Sequence, residues 1–140
     1  MGLETALGPG ATLPSDVVVA GPSPARGSSG FLNGHALLEM VAAVHQRVRA
    51  SLAARRFPLI YGADCTVLLG AIPALKEVHG TAGLVFIDGH EDATPMGLSA
   101  SGEAANMEIV LLLGITSERA PGPLHARLGC LDPRAVAMLG

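Results

Sequence analysis

Three residues with metal-ligand chemistry stand at alternate positions in Asp88-Gly-His90-Glu-Asp92, directly after the apolar run Gly83-Leu-Val-Phe-Ile. Alternate side chains on an extended backbone leave it on the same side, so the carboxylates and imidazole can converge on one point. Oxygen and nitrogen donors of this kind suit Mn, Fe or Zn. Glu91 would point the opposite way and support the ligands from behind. The plain structural alternative is a solvated polar turn closing a strand. A second candidate is Gly62-Ala-Asp64-Cys65-Thr66. Asp64 or Thr66 can cap the helix that follows, and Cys65 is either a ligand or a small buried hydrophobe. The third is Ser101-Gly-Glu103-Ala-Ala-Asn-Met107, where a loop runs into a helix. It reads either as a helix cap or as a polar rim that touches substrate.

These residues need elements to place them. Residues 1–16 are dense in Gly and Pro and read as an extended lead-in, with one domain over residues 17–140. Val17-Val-Val-Ala20 is a short β-branched run that predicts a buried strand. Gly21 to Gly34 is turn-rich, and Phe31 is its candidate anchor to the core. Leu37, Val41, Val44, Val48 and Leu52 form one apolar stripe at helical spacing. Asn33 is the expected N-cap, and Arg55 and Arg56 suit the negative end of the helix dipole. Pro58-Leu-Ile-Tyr61 predicts a second strand. A helix is expected from Thr66 to Glu77, kinked or restarted at Pro73. The 83–88 run is the strongest strand signal. A loop over 95–101, a helix over Ala104–Leu113 closed by Gly114, loop-like sequence over 116–132 and a strand at Ala135–Leu139 complete the pattern. Alternating strands and helices predict an α/β fold with a mostly parallel sheet between helical layers. Ligands in such folds bind at the carboxyl ends of the strands, which is where the segments after Tyr61 and Ile87 fall.

Bulk properties bound the function. The 140 residues suit one domain, and 49% hydrophobic residues suffice for a core, although only 3% are aromatic. A net charge of -3 offers no electrostatic motive for nucleic acid. The longest apolar runs fall far short of the ~20 residues of a membrane helix. Two cysteines, Cys65 and Cys130, make no disulfide framework, so a reducing, cytoplasmic setting is expected.

Taken in order, the three segments resemble those of the ureohydrolase (arginase and agmatinase) family. That family carries a strand ending in Gly-Gly-Asp-His-Ser, a strand ending in Asp-Ala-His-x-Asp, and a loop Ser-Gly-Asn-x-His-Gly-Met. The flanks agree: Ile72-Pro-Ala-Leu75, Thr94-Pro95 and Leu111-Leu-Leu-Gly114. The resemblance spans roughly residues 30 to 140 and implies the N-terminal half of a three-layer α/β/α arginase-like fold. It also implies two manganese ions that activate a water for attack on a guanidino or amidino carbon, a small-molecule substrate and a possible homo-oligomer. Carried over by position, Asp88 bridges the metals, His90 holds one, and Asp92 holds the other and orients the nucleophile. His90 and Asp92 are thus the candidate catalytic residues, Cys65 joins the metal set, and Thr94, Ser101 and Glu103 face substrate.

Several positions depart from the family pattern. Cys65 stands where the family has a histidine ligand, and a thiolate favours Zn over Mn, so one ion or another metal is an open alternative. Ala93 runs straight into Thr94-Pro95, without the family's substrate-side Asn. Glu103 and Ala105 replace the Asn and His of the third motif, which suits a cationic substrate end better than an amino-acid carboxylate. The family's later Asp-x-Asp pair would fall beyond Gly140. The expectation is a metal-dependent hydrolase of the ureohydrolase type. The alternatives are a catalytically impaired member that serves as a relic or interaction module, and a deacetylase-like metal hydrolase.

Overall fold

The computed structural model of the chain describes residues 6–11, 16–17, 21, 23, 25–62, 64–116 and 120–140. Four helices and two strands order the described chain: α1 (Gly34–Ala53), α2 (Leu68–His79), β1 (Leu84–Ile87), α3 (Glu108–Leu112), α4 (Gly122–His125) and β2 (Val136–Leu139). The strands pair in parallel, with Leu84 opposite Val136 and Ile87 opposite Leu139. The α/β class with parallel pairing is therefore as expected. The strand expected at Val17–Ala20 lies mostly outside the described residues, as does much of the lead-in over residues 1–16.

The stripe on α1 does what its spacing predicts. Leu37, Val41, Val44 and Val48 are buried, and most of this face packs on α2, whose residues Leu69 to Ala74 are buried in turn. The helices meet closely at Gly70. A Cβ there would lie 2.7 Å from the Val41 carbonyl oxygen and 2.9 Å from the Val44 Cβ. Phe31 is fully buried and joins Leu69, Met107, Leu111 and Leu124 in the main core. Its loop is tied down by the Leu32 N–H, which donates to the Gly102 carbonyl at 2.8 Å.

Several local expectations are corrected. Asn33 precedes α1 but does not cap it with its side chain. It takes a left-handed conformation (φ 54°), and its Oδ1 accepts from the Ser23 N–H at 2.5 Å. Pro73 neither ends nor restarts α2, which runs unbroken across it; a proline removes one hydrogen bond, and the neighbouring turns and burial carry the helix through. Pro58–Tyr61 is not a strand. Strand geometry needs a partner's backbone groups, none of the described residues pairs with this segment, and Phe57 and Tyr61 are 89% and 87% exposed. The helix expected over Ala104–Leu113 is divided at Met107, with a 3-10 turn at Ala104–Asn106 before α3. The loop-like stretch after Thr116 contains the short helix α4.

The strand pair is covered unevenly. Leu84, Phe86 and Val136 turn toward the core, whereas Val85 and Ile87 are 64% and 75% exposed and Leu139 also lies open. Among the described residues, helices cover one side of the pair. No described helix is long and apolar enough to cross a membrane.

Because the α1–α2 approach leaves no room for a side chain, Gly70→Val should destabilise the fold by about 1–3 kcal/mol, as overpacking does. Urea denaturation read by circular dichroism checks this; an unchanged midpoint would show that the two helices separate freely.

Candidate metal centre

The carboxyl end of β1 delivers Asp88 beside Cys65, which opens the turn leading into α2. The Cys65 thiol donates to Asp88 Oδ2 with a separation of 3.4 Å. Asp92 completes the group: one donor atom from each of Cys65, Asp88 and Asp92 lies within 4.8 Å of the others. A cysteine and two carboxylates are donor types that a single divalent ion accepts, once the thiol gives up its proton and the donors draw closer together.

The backbone does not stay extended through this segment, and that decides which residues meet. It bends at Gly89–His90, and Asp92 takes φ 43°, a conformation in which Asp and Asn are over-represented among non-glycine residues. Asp88 Oδ1 accepts the His90 N–H at 3.0 Å, closing a tight local turn. The alternation expected for residues 88, 90 and 92 is thereby broken. Asp88 and Asp92 converge, while the His90 side chain is 84% exposed with Nδ1 3.6 Å from Asp88 Oδ1. His90 lies beside the group rather than in it.

The residues expected to face substrate occupy the neighbouring loop. The Thr94 N–H donates to the Asn106 carbonyl at 2.8 Å. Ser101 Oγ accepts from the Glu103 N–H at 3.2 Å, and Glu103 Oε2 accepts from Asn106 Nδ2 at 3.3 Å. Ser101 and Glu103 are exposed. Asp64 acts as the cap that its position suggested: its Oδ1 accepts from the Thr66 N–H at 2.9 Å and from the Thr66 hydroxyl.

One acidic residue escaped the sequence reading. Glu108, the first residue of α3, is fully buried. Its Oε2 accepts the Met107 N–H at 3.1 Å, and its Oε1 is buried with no hydrogen-bond partner. The available signal was a single acid at the head of the apolar run that ends at Leu113, where it also suits the N-terminal end of the helix dipole.

The electrostatics follow from crowding. Burial pushes the Cys65 thiol up to about 12, aided by its hydrogen bond to Asp88 and by the charges of Asp88, Asp92 and Glu108. Burial and the Asp88 charge raise Asp92. Asp88 is held low by the His90 N–H and then by the Cys65 hydrogen bond. Burial raises Glu108 from 4.5 to about 8, and the Asp92 charge adds to the effect. Burial is the largest cause of the three upward shifts, and the neighbouring carboxylates add to it.

The Glu108 shift has a definite sign in stability. Between pH 4.5 and about 8 the folded chain holds a proton that the unfolded chain has released, so this residue costs stability progressively as pH rises through that window. In the presence of chelator, Glu108→Gln should raise the melting temperature at pH 8, and the gain should shrink toward pH 5. A gain independent of pH would contradict the buried, proton-holding state.

No family model matches the chain. Over 97 residues it is 30% identical to an arginase of Eremothecium gossypii, covering 69% of this chain and 24% of that protein. An arginase of Saccharomyces cerevisiae is 29% identical over 104 residues, covering 73% of this chain and 31% of that one. Among solved structures, the arginase from Bacillus caldovelox superposes with a TM-score of 0.74 at 22% identity, over 88% of this chain and 42% of that one. The Bacillus subtilis arginase gives a TM-score of 0.67 at 22% identity, over 77% and 38% of the two chains. The match to the curated relatives spans about a quarter to a third of their length. Sequence and fold agree, over the part of the family that this chain covers: it belongs to the arginase (ureohydrolase) family.

Proposed function

We propose that this chain contributes to a metal-dependent hydrolase site acting on the C–N bond of a guanidino or amidino compound. The observation that carries the reading is the convergence of Cys65, Asp88 and Asp92 at the carboxyl end of β1, the position at which parallel α/β sheets bind ligands. These three residues would hold the ion. A divalent ion bound there supplies a Lewis acid that lowers the pKa of a water and polarises the substrate. Manganese is what the family resemblance implies, while the Cys65 thiol biases the donor set toward zinc or cobalt.

The remaining chemistry belongs to the side chains. Asp88 keeps its charge and draws a cationic guanidinium toward the strand end. Asp92, whose proton affinity is raised, is suited to take a proton from the attacking water and orient it. His90, exposed beside Asp88, is placed to pass protons between the site and solvent. Thr94, Ser101 and Glu103 form the polar margin, where the Glu103 carboxylate suits an amine-bearing substrate end.

A second reading is a family member with little catalysis that works through its interfaces, possible homo-oligomers included. The specific observation in its favour is the exposed apolar side of the strand pair at Val85, Ile87 and Leu139.

Elemental analysis after loading should find bound metal, with zinc or cobalt held more tightly than manganese, and Cys65→His should shift that preference toward manganese. Urea release from a panel of guanidino compounds should fall by about 100-fold or more in Asp92→Ala and in His90→Ala. Metal binding without release of urea from any of them would leave the interaction reading in its place.

A further inference from the structure

We propose that the groove between α1, α2 and the turn after α4 binds a small, soluble phosphate monoester, whose dianionic head pairs with Lys76 and Arg127. The inference uses none of the metal-centre residues and does not rest on the metal reading.

The groove encloses about 310 Å3. His45 of α1, Pro73, Lys76 and Glu77 of α2, and Arg127 and Leu128 of the turn line it. Backbone bonds fix its shape. The Gly129 N–H donates to the Leu111 carbonyl at 3.1 Å, and the Leu131 N–H to the Leu112 carbonyl at 3.0 Å. The turn is thereby fastened to α3, and the close approach of α1 and α2 at Gly70 holds the opposite walls.

Charge selects the ligand. Glu77 is the only acid among the described lining residues, and both of its oxygens are engaged. Oε2 lies 3.1 Å from Nε2 of the buried His45, and Oε1 lies 3.2 Å from Arg49 Nε. Neither Lys76 nor Arg127 has a carboxylate partner among the described residues. Arg127 Nη1 donates to the Pro123 carbonyl at 2.8 Å, which engages one of its five donors. Burial lowers the proton affinity of His45, and the Arg127 charge lowers it further, in keeping with their place in one groove. Two cations without acids suit a dianion better than a monoanion. A phosphate monoester carries about −1.5 to −2 charges at pH 7 and three acceptor oxygens. Arginine offers such oxygens a planar fork and lysine a point charge. Pro73 and Leu128 give the ester's carbon portion an apolar wall, and the volume stands at the small end of ligand sites.

Titration of the metal-free protein with phenyl phosphate, followed by amide NMR, should give saturable shifts at Lys76 and in the turn after α4. Benzoate at equal concentration should not. Affinity should fall about tenfold or more in Lys76→Gln and in Arg127→Gln, the loss of one charge-assisted hydrogen bond. Circular dichroism verifies the folds, and Lys76 is exposed, so its replacement tests the site even where Arg127→Gln does not fold. Glu77→Gln should tighten binding, because it removes the one acid and frees Arg49, and a damaged fold cannot produce a gain. Equal binding of benzoate, shifts centred on the Cys65 segment, or no saturation would overturn the proposal. So would unchanged affinity in folded Lys76→Gln, weaker binding in folded Glu77→Gln, or capture by phosphatidic-acid vesicles without a response to phenyl phosphate.

Discussion

Acidic groups repel one another, and this chain gathers several of them with a thiol at the end of one short strand. Asp88, Asp92 and Glu108 reach the same neighbourhood as Cys65 because the backbone obliges them to. β1 brings Asp88 to its end in register with β2. The turn closed by the His90 N–H and the left-handed Asp92 bring the chain back on itself. The bonds from Ile109 to Asp92 and from Thr94 to Asn106 then fasten α3 to that turn. The stabilisation comes from the apolar core around Phe31, Leu69, Met107 and Leu111. These groups are held in place by that packing, and the raised proton affinities of Cys65, Asp92 and Glu108 are its electrostatic signature.

The same packing is lopsided. Helices α1 and α2 meet so closely at Gly70 that their relative position leaves little freedom, and this fixes where Cys65 enters the site. The outward side of the strand pair carries Val85, Ile87 and Leu139 without cover among the described residues. Parallel sheets are ordinarily covered on both faces. The chain matches 42% of the Bacillus caldovelox arginase chain, so the strand end with Cys65, Asp88 and Asp92 sits on the part of that layered fold that the match covers.

Much of this was legible beforehand for identifiable reasons. The α1 stripe and the 83–88 run are periodic signals strong enough to survive any tertiary context, and the structure has a helix and a strand there. The convergence of Asp88 and Asp92 near a strand end was suggested by their residue types and by their place after a strand. Pro58–Tyr61 was misread because an apolar run announces burial but not a partner, and a strand requires one. Glu108 was passed over because a helical run absorbs an isolated acid without disturbing its pattern. His90 was grouped with its neighbours on the assumption of an extended backbone, which one left-handed residue at Asp92 is enough to defeat.

The amino-acid sequence by itself determined the main helices and the 83–88 strand, the core-facing stripe of α1, the family resemblance and the presence of Cys65, Asp88 and Asp92 as candidate donors. These depend on residue type and spacing along the chain. Only the tertiary structure decided that His90 turns outward and that Glu108 lies buried with one oxygen free. Those outcomes depend on the direction of a bend and on hydrogen bonds between segments distant in sequence, which local spacing does not encode.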